Sequence, residues 1–271
     1  MSNKLILVLI DGLAWHVAQH AMGYLHALCE ARQASVKPIQ AALPTISRPL
    51  YECVLTGATP VESGILHNQV VRFSNQESIF HLARQANFST AAAAYSWISE
   101  LYNCAPYQAT RDRYTNDESL AIQHGIFYHD DAYPDSHLYL DADYLAQRYQ
   151  PDFLFVHPMN VDDAGHRGGG DSAVYRNTAR LNDMHLSSHI PSWLAQGYQI
   201  IVTADHGMNN DYSHGGNLAH EREVPLFLIG ERFNHEQLMS CPIQQTQIRD
   251  LCALVLGIPT PNSDILSVLL K

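Results

Sequence analysis

The sequence predicts an α/β protein built on a doubly wound, mostly parallel sheet with helices on both faces. Three observations carry that expectation. Continuous apolar runs at 4–10, 153–157, 200–203 and 223–230 read as buried strands, because parallel strands covered on both faces show no polar alternation. Helix-length segments separate these runs, giving the alternation of a parallel sheet. Three of the runs lead into carboxylates and imidazoles, namely Asp11, Asp162 with His166, and Asp205 with His206. Doubly wound sheets bind their ligands just beyond such strand ends.

A chain of 271 residues is long enough for one large domain, 1–271, with a small cap, and 46% apolar against 16% charged residues suits a soluble globular protein. Sixteen Lys and Arg against 27 Asp and Glu give a net charge of −11 with no basic run, which excludes nucleic-acid binding by counterion release. An acidic chain that handles an anionic substrate needs bound cations to reverse the local field. The run Leu5–Ile10 is too short for a signal-peptide core or a membrane span. Cysteines 29, 53, 104, 241 and 252, an odd number without a CxxC, read as free thiols in a reducing compartment. The expectation is therefore a cytoplasmic protein without a membrane partner; oligomeric state is left open.

Taken in order, the strand 4–10 stops at Asp11-Gly12, and a helix follows over about Trp15–Arg32. A lone Asp after a strand equally suits a helix cap. Pro44 and Pro49 then bracket Thr45, Ile46, Ser47 and Arg48 in a loop that enters a helix over Pro49–Thr56, with Gly57 at its end. A hydroxyl there faces unsatisfied amides and the positive end of the helix dipole, where phosphoryl groups bind, although Ser47 also serves as a plain N-cap. A helix near Glu77–Ala86 and a small-residue strand near Thr90–Tyr95 come next. The stretch 105–135, crowded with Tyr, Asp and Asn, reads as part of a cap or substrate-facing insertion within about 71–150. A helix over Ala142–Arg148 leads to the strand Phe153–His157; on a helix, Asp162 and His166 share one face and so are able to share one ion. Glycines 168–170 allow close backbone approach, and a helix from Ser172 to about His189 returns the chain to the strand before Asp205. His214 lies beyond it, followed by the strand 223–230 and a closing helix over Gln247–Leu256.

Asp11, Asp162, His166, Asp205, His206 and His214 therefore converge on one crevice. Six N/O ligands divide naturally between two metals about 4 Å apart, each keeping a position for substrate or nucleophile.

Asp11-Gly, the Ser47-Arg48-Pro49 loop, Asp162-x-x-x-His166, Asp205-His206-Gly-Met and His214-Gly resemble the alkaline phosphatase superfamily, and within it the type I phosphodiesterase/nucleotide pyrophosphatase group. The resemblance covers about 1–70 and 150–230. In that group a Thr-x-Pro nucleophile is followed by Thr-Gly nine and ten residues on and by a phosphate-binding Asn at twenty-one; here Ser47, Thr56-Gly57 and Asn68 keep those spacings. The resemblance implies an alkaline phosphatase-like fold and a zinc-dependent phosphoric ester hydrolase. It implies Asp11, Ser47, Asp205 and His206 on one zinc and Asp162, His166 and His214 on the other. It further implies a phosphoseryl intermediate at Ser47, with Asn68 and the Ser47-region amides on the phosphate, and a small anionic phosphate-ester or phosphonate substrate rather than a nucleic acid polymer.

The sequence also departs from the group. Arg48 stands where relatives carry an aromatic that stacks on the leaving nucleoside, so a second anionic group or a solvent-facing role are both open for it. His214 lies close behind His206, leaving His220 as a fallback ligand. A phosphomonoesterase or phosphonate hydrolase would use the same residues. A sulfatase needs Arg where Glu52 stands, a cofactor-independent phosphoglycerate mutase needs a large inserted domain, and a non-catalytic zinc module needs no hydroxyl nucleophile.

Overall fold

The computed structural model describes residues 3–271. The strands are β1 Lys4–Ile10, β2 Ala34–Gln40, β3 Thr90–Tyr95, β4 Tyr114–Asn116, β5 His124–Tyr128, β6 Phe153–Val156, β7 Tyr198–Ala204 and β8 Glu223–Ile229. They form one 8-stranded sheet in the order β2-β8-β7-β1-β6-β3-β5-β4. Strands β7, β1, β6, β3 and β5 run parallel, while β8, β2 and β4 join their neighbours antiparallel. The helices are α1 Trp15–Ala21, α2 Gly23–Glu30, α3 Ser47–Thr56, α4 Pro60–Ser63, α5 Ile79–Gln85, α6 Ser96–Tyr102, α7 Ala109–Asp112, α8 Asp135–Tyr149, α9 Asn160–Gly168, α10 Ala173–Ala195, α11 Ala219–Arg222, α12 Ile248–Val255 and α13 Ser263–Leu266. The mostly parallel α/β fold expected from the apolar runs is the fold observed.

The central strands are apolar on both faces because helices cover both. Leu5 to Ile10, Phe153 to Val156 and Ile200 to Val202 are fully buried. Pairing of β1 with β7 is in register up to Ile10 opposite Ala204, which sets Asp11 level with Asp205. On the other side Val8 faces Val156, and the Asp11 N–H donates to the Pro158 carbonyl at 3.0 Å. These two pairings carry the acidic residues of three strand ends to one edge of the sheet.

Several elements differ from the sequence expectation. The single helix over Trp15–Arg32 is two, interrupted at Met22, whose ψ of 68° leaves the helical region. Asp183 of α10 supplies the start of the second, accepting the Tyr24 and Leu25 N–H groups at 2.7 and 3.1 Å. The stretch 105–135 holds α7, β4 and β5, so much of it extends the sheet, and β3 lies between β6 and β5. Edge strand β2 carries Pro38 and Lys37, which suit a sheet edge. Helix α8 begins at Asp135, and α10 continues through Pro191 to Ala195 because Ile190 and Trp193 extend its buried face. All five cysteines are free. Among the described residues no helix is long and apolar enough to cross a membrane.

Candidate metal centre

The Ser47 loop is organised by α3. Ser47 is the first residue of that helix, after an extended Ile46, and makes no capping bond; Gly57 closes the helix at φ 76°. The plain N-cap alternative is therefore not what the hydroxyl does. Its Oγ lies 3.0 Å from His206 Nε2, and Ser47 is 5% exposed. Thr45, the other hydroxyl of the loop, serves as a tie between loops. Its Oγ1 donates to the Gly216 carbonyl and accepts the Gly215 N–H, both at 2.9 Å. Thr45 thus clamps the loop carrying His214 onto the loop carrying Ser47. Asn68 comes alongside, its Oδ1 accepting the Arg48 N–H at 3.1 Å, which leaves its Nδ2 for a ligand. One amide of the Ser47 region is thereby already engaged.

Around Ser47 the strand ends converge. His206 Nε2 lies 3.1 Å from Asp205 Oδ2 and 3.5 Å from Asp11 Oδ1, so Asp11, Asp205 and His206 point at one spot. Asp11 does not cap α1, whose N-cap is Ala14. Asp162 and His166, on one face of α9 as their spacing predicts, approach to 3.3 Å; His214 Nε2 lies 3.6 Å from Asp162 Oδ1 and 3.2 Å from His166 Nε2. The His206 and His214 rings stack at 3.7 Å and join the two groups. His220 stands apart, exposed and stacked on His16 at 4.4 Å.

Two glycines make this convergence possible. Gly12 sits at φ 70°, where a Cβ would lie 2.7 Å from Asp162 Oδ1, and a Cβ on Gly207 would lie 2.1 Å from the His220 carbonyl oxygen. The glycines of Asp-Gly and Asp-His-Gly are thus packing requirements.

The donor set calls for cations. Nδ1 of His206, His166 and His214 faces the carbonyls of Gly207, Tyr212 and Thr45 at 2.9, 2.9 and 2.7 Å. A carbonyl is satisfied only by an N–H, so each ring commits Nδ1–H to the backbone and turns Nε2 toward the cluster. The Nε2 atoms of His166 and His214 face each other across 3.2 Å. Asp11 Oδ1, Asp162 Oδ1 and Asp205 Oδ2 are buried without hydrogen-bond partners. The electrostatics agree. Burial, with the Asp11 charge beside it, pushes Asp205 far above the usual carboxylate range. Burial opposes ionisation of Asp11 too, but the His157 contact and the His206 and His157 charges take it down to about 2. Burial and the neighbouring His214 lower His206 to about 4, so its imidazole is uncharged at neutral pH, while Asp162 lifts His166 to about 9. Three carboxylates with bare oxygens beside imidazole Nε2 atoms fit divalent metal ions.

Arg48 is a correction. Its guanidinium does not face the crevice as a free anion-binding fork, nor solvent. It is 1% exposed, donates to Glu100 Oε2 at 2.6 Å and to the Val70 carbonyl at 2.9 Å, and lies 4.5 Å from the Trp97 ring. Its charge is spent on Glu100. Sequence reasoning missed Glu100, Thr45 as a clamp, and the pair Tyr51 and His157 that meets Asp11. Tyr51 lies one turn after Ser47 and His157 at the end of an expected strand, which was the available signal.

A family model described as type I phosphodiesterase / nucleotide pyrophosphatase matches residues 5–218. Among curated relatives, the human GPI ethanolamine phosphate transferase 2 catalytic subunit is 22% identical over 98% of this chain and 28% of its own length. The Candida albicans GPI ethanolamine phosphate transferase 2 is 22% identical over 97% and 31%. The chain thus spans under a third of the length of these relatives. Among solved structures, murine ectonucleotide pyrophosphatase/phosphodiesterase 5 superposes with a TM-score of 0.74 at 12% identity, covering 98% of this chain and all of its own (100%). The phosphonate monoester hydrolase of Silicibacter pomeroyi gives 0.66 at 13%, covering 98% and 77%. The superfamily of these folds generally uses two divalent metal ions, in keeping with the donor set above. The match over residues 5–218 makes this chain a member of the type I phosphodiesterase/nucleotide pyrophosphatase family.

Proposed function

We propose that the chain is a two-zinc phosphodiesterase that works through a phosphoserine at Ser47. The observation that carries this is the position of Ser47 Oγ, uncommitted to capping and 3.0 Å from the Nε2 on which the bare oxygens of Asp11 and Asp205 also converge. Asp11, Ser47, Asp205 and His206 would hold one ion and Asp162, His166 and His214 the other. When bound, the ions supply the charge that keeps hydroxyl and water deprotonated at neutral pH and neutralises phosphoryl oxygens. Ser47 Oγ attacks phosphorus, the bond to one ester oxygen breaks and that group leaves as its alcohol or phenol, and the phosphoryl group, still carrying its other ester, rests on serine until water releases it as the monoester. Asn68 holds a phosphoryl oxygen through Nδ2, and its Oδ1 fixes the start of α3 through the Arg48 amide. Thr45 keeps His214 and Ser47 in one frame.

Acid quench of the zinc-loaded enzyme during turnover of bis-p-nitrophenyl phosphate, followed by peptide mass spectrometry, should find a p-nitrophenyl phosphoryl group on Ser47. Turnover by Ser47→Ala at the wild-type rate would overturn the reading. Parallel assays with p-nitrophenyl phosphate, a phosphonate monoester and a p-nitrophenyl nucleotide rank diesterase against phosphomonoesterase and phosphonate hydrolase. A second reading, transfer of ethanolamine phosphate to an alcohol, is favoured by relatives that carry that name and align with almost the whole chain. It predicts that p-nitrophenyl phosphoethanolamine outpaces the other diesters and that added alcohol diverts product away from water.

A further inference from the structure

We propose that Tyr51 and His157 confine Asp11 to ligation through one oxygen, and that this closes the Asp11–Ser47–Asp205–His206 site at four donors and makes it select zinc. The inference rests on the two-metal reading and adds residues that lie outside the ligand set.

Asp11 is wholly buried, and its two oxygens have opposite surroundings. Oδ2 accepts the Tyr51 hydroxyl and lies 3.4 Å from His157 Nε2. Oδ1 has no hydrogen-bond partner and lies 3.5 Å from His206 Nε2. Asp205 repeats the pattern by another route. Its Oδ1 accepts the Gly12 N–H at 3.0 Å, while Oδ2 has no hydrogen-bond partner and lies 3.1 Å from the same imidazole. Each carboxylate therefore has one oxygen tied to protein and one offered. Those two oxygens, His206 Nε2 and Ser47 Oγ make four donors, the number that zinc takes in tetrahedral sites. Magnesium, manganese and calcium favour more oxygens, which the second carboxylate oxygens would supply if released.

The surroundings of Tyr51 and His157 hold both rings in place. Tyr51 projects from α3 one turn after Ser47, and its ring meets the His157 ring edge-on at 4.5 Å. Phe155 stacks parallel to His157, at 6.0 Å between centroids, and the imidazole is fully buried. Neither ring nitrogen of His157 has a hydrogen-bond partner among the described residues, so the Asp11 carboxylate is the charged group that it faces. Burying an imidazole there is costly unless that contact offsets the loss of water. Both are positioning residues: they touch a ligand carboxylate rather than the reacting atoms.

The test is metal selectivity. The full chain is stripped of metal and titrated with zinc and with manganese against a chromophoric chelator, and the cobalt-substituted protein gives the coordination number from its visible absorption. Variants are Tyr51→Phe, His157→Leu and His157→Gln, the last placing an amide N–H near the reach of Nε2. Tyr51→Phe and His157→Leu should each weaken one of two zinc sites by about 10- to 100-fold and leave the other unchanged. They should also narrow the preference for zinc over manganese and weaken the tetrahedral cobalt absorption, while His157→Gln recovers most of the affinity. Unchanged zinc affinity, or equal weakening of both sites with a fall in Tm, would overturn the inference. A wild-type chain that takes up no zinc would overturn the two-metal reading itself.

Discussion

Arg48 offers the sharpest test of how the nucleophile loop is held. The ion pair with Glu100 is desolvated on both sides, at 1% and 8% residue exposure, and short at 2.6 Å. Glu100 Oε1 accepts the Tyr107 N–H at 2.9 Å, so removing Arg48 strands a buried carboxylate with one neutral donor. Breaking a buried pair from one side costs about 3–5 kcal/mol, most of it the uncompensated charge. Loss of the contact over Trp97 adds about 0.5–2 kcal/mol. Arg48→Ala should therefore lower unfolding free energy in urea by about 4–6 kcal/mol, the two costs overlapping in part. Glu100→Ala should cost a similar amount, whereas Arg48→Met with Glu100→Met should recover most of the loss, because apolar groups of like volume replace such pairs well. In the folded fraction, turnover of an ester with an anionic leaving group and of a neutral aryl diester should fall in parallel, since the guanidinium is not available to substrate. A single-variant loss below about 1 kcal/mol, the value of an exposed pair, would refute the buried-pair account. So would a selective loss on the anionic ester.

Four further outcomes follow from the same geometry. Ser47→Ala should keep the fold and most of the metal while kcat/KM falls by several orders of magnitude, measured with bis-p-nitrophenyl phosphate and by metal analysis. His214→Ala should empty one of about two metal sites, and His220→Ala should leave both filled, because His220 packs on His16 away from the cluster. Thr45→Val should weaken metal retention at the Asp162–His166–His214 site more than at the other, since it frees the Gly215–Gly216 loop; equal retention at both sites would refute the clamp. Zinc affinity should rise with pH up to about 9, because His166 must lose a proton that Asp162 holds. In the metal-free protein the same raised value adds stability that is complete below the ordinary histidine range near 6.5 and is lost as pH rises through about 9. Chelator competition and urea midpoints from pH 6 to 10 check both signs.

Much of this site was legible in the sequence, because buried parallel strands write continuous apolar runs and a doubly wound sheet sends their ends to one edge. Asp11, Asp162, His166, Asp205 and His206 followed from that rule, and the spacings of Ser47, Thr56-Gly57 and Asn68 singled out Ser47 through a family resemblance. What remained hidden depends on partners far away in the chain. Arg48 finds Glu100 52 residues on, and nothing local to either one announces the pair. Thr45 and His214 meet across 169 residues, and His157 reaches Asp11 only because β6 lies beside β1. Edge strands β2 and β4, short or polar, left no periodicity to read, and the break at Met22 is secured by a carboxylate from α10. Sequence pattern records how deeply a residue is buried and how its backbone runs. Which oxygen of a carboxylate is tied and which is bare is decided only when the sheet assembles, because the groups that tie it come from other strands and helices.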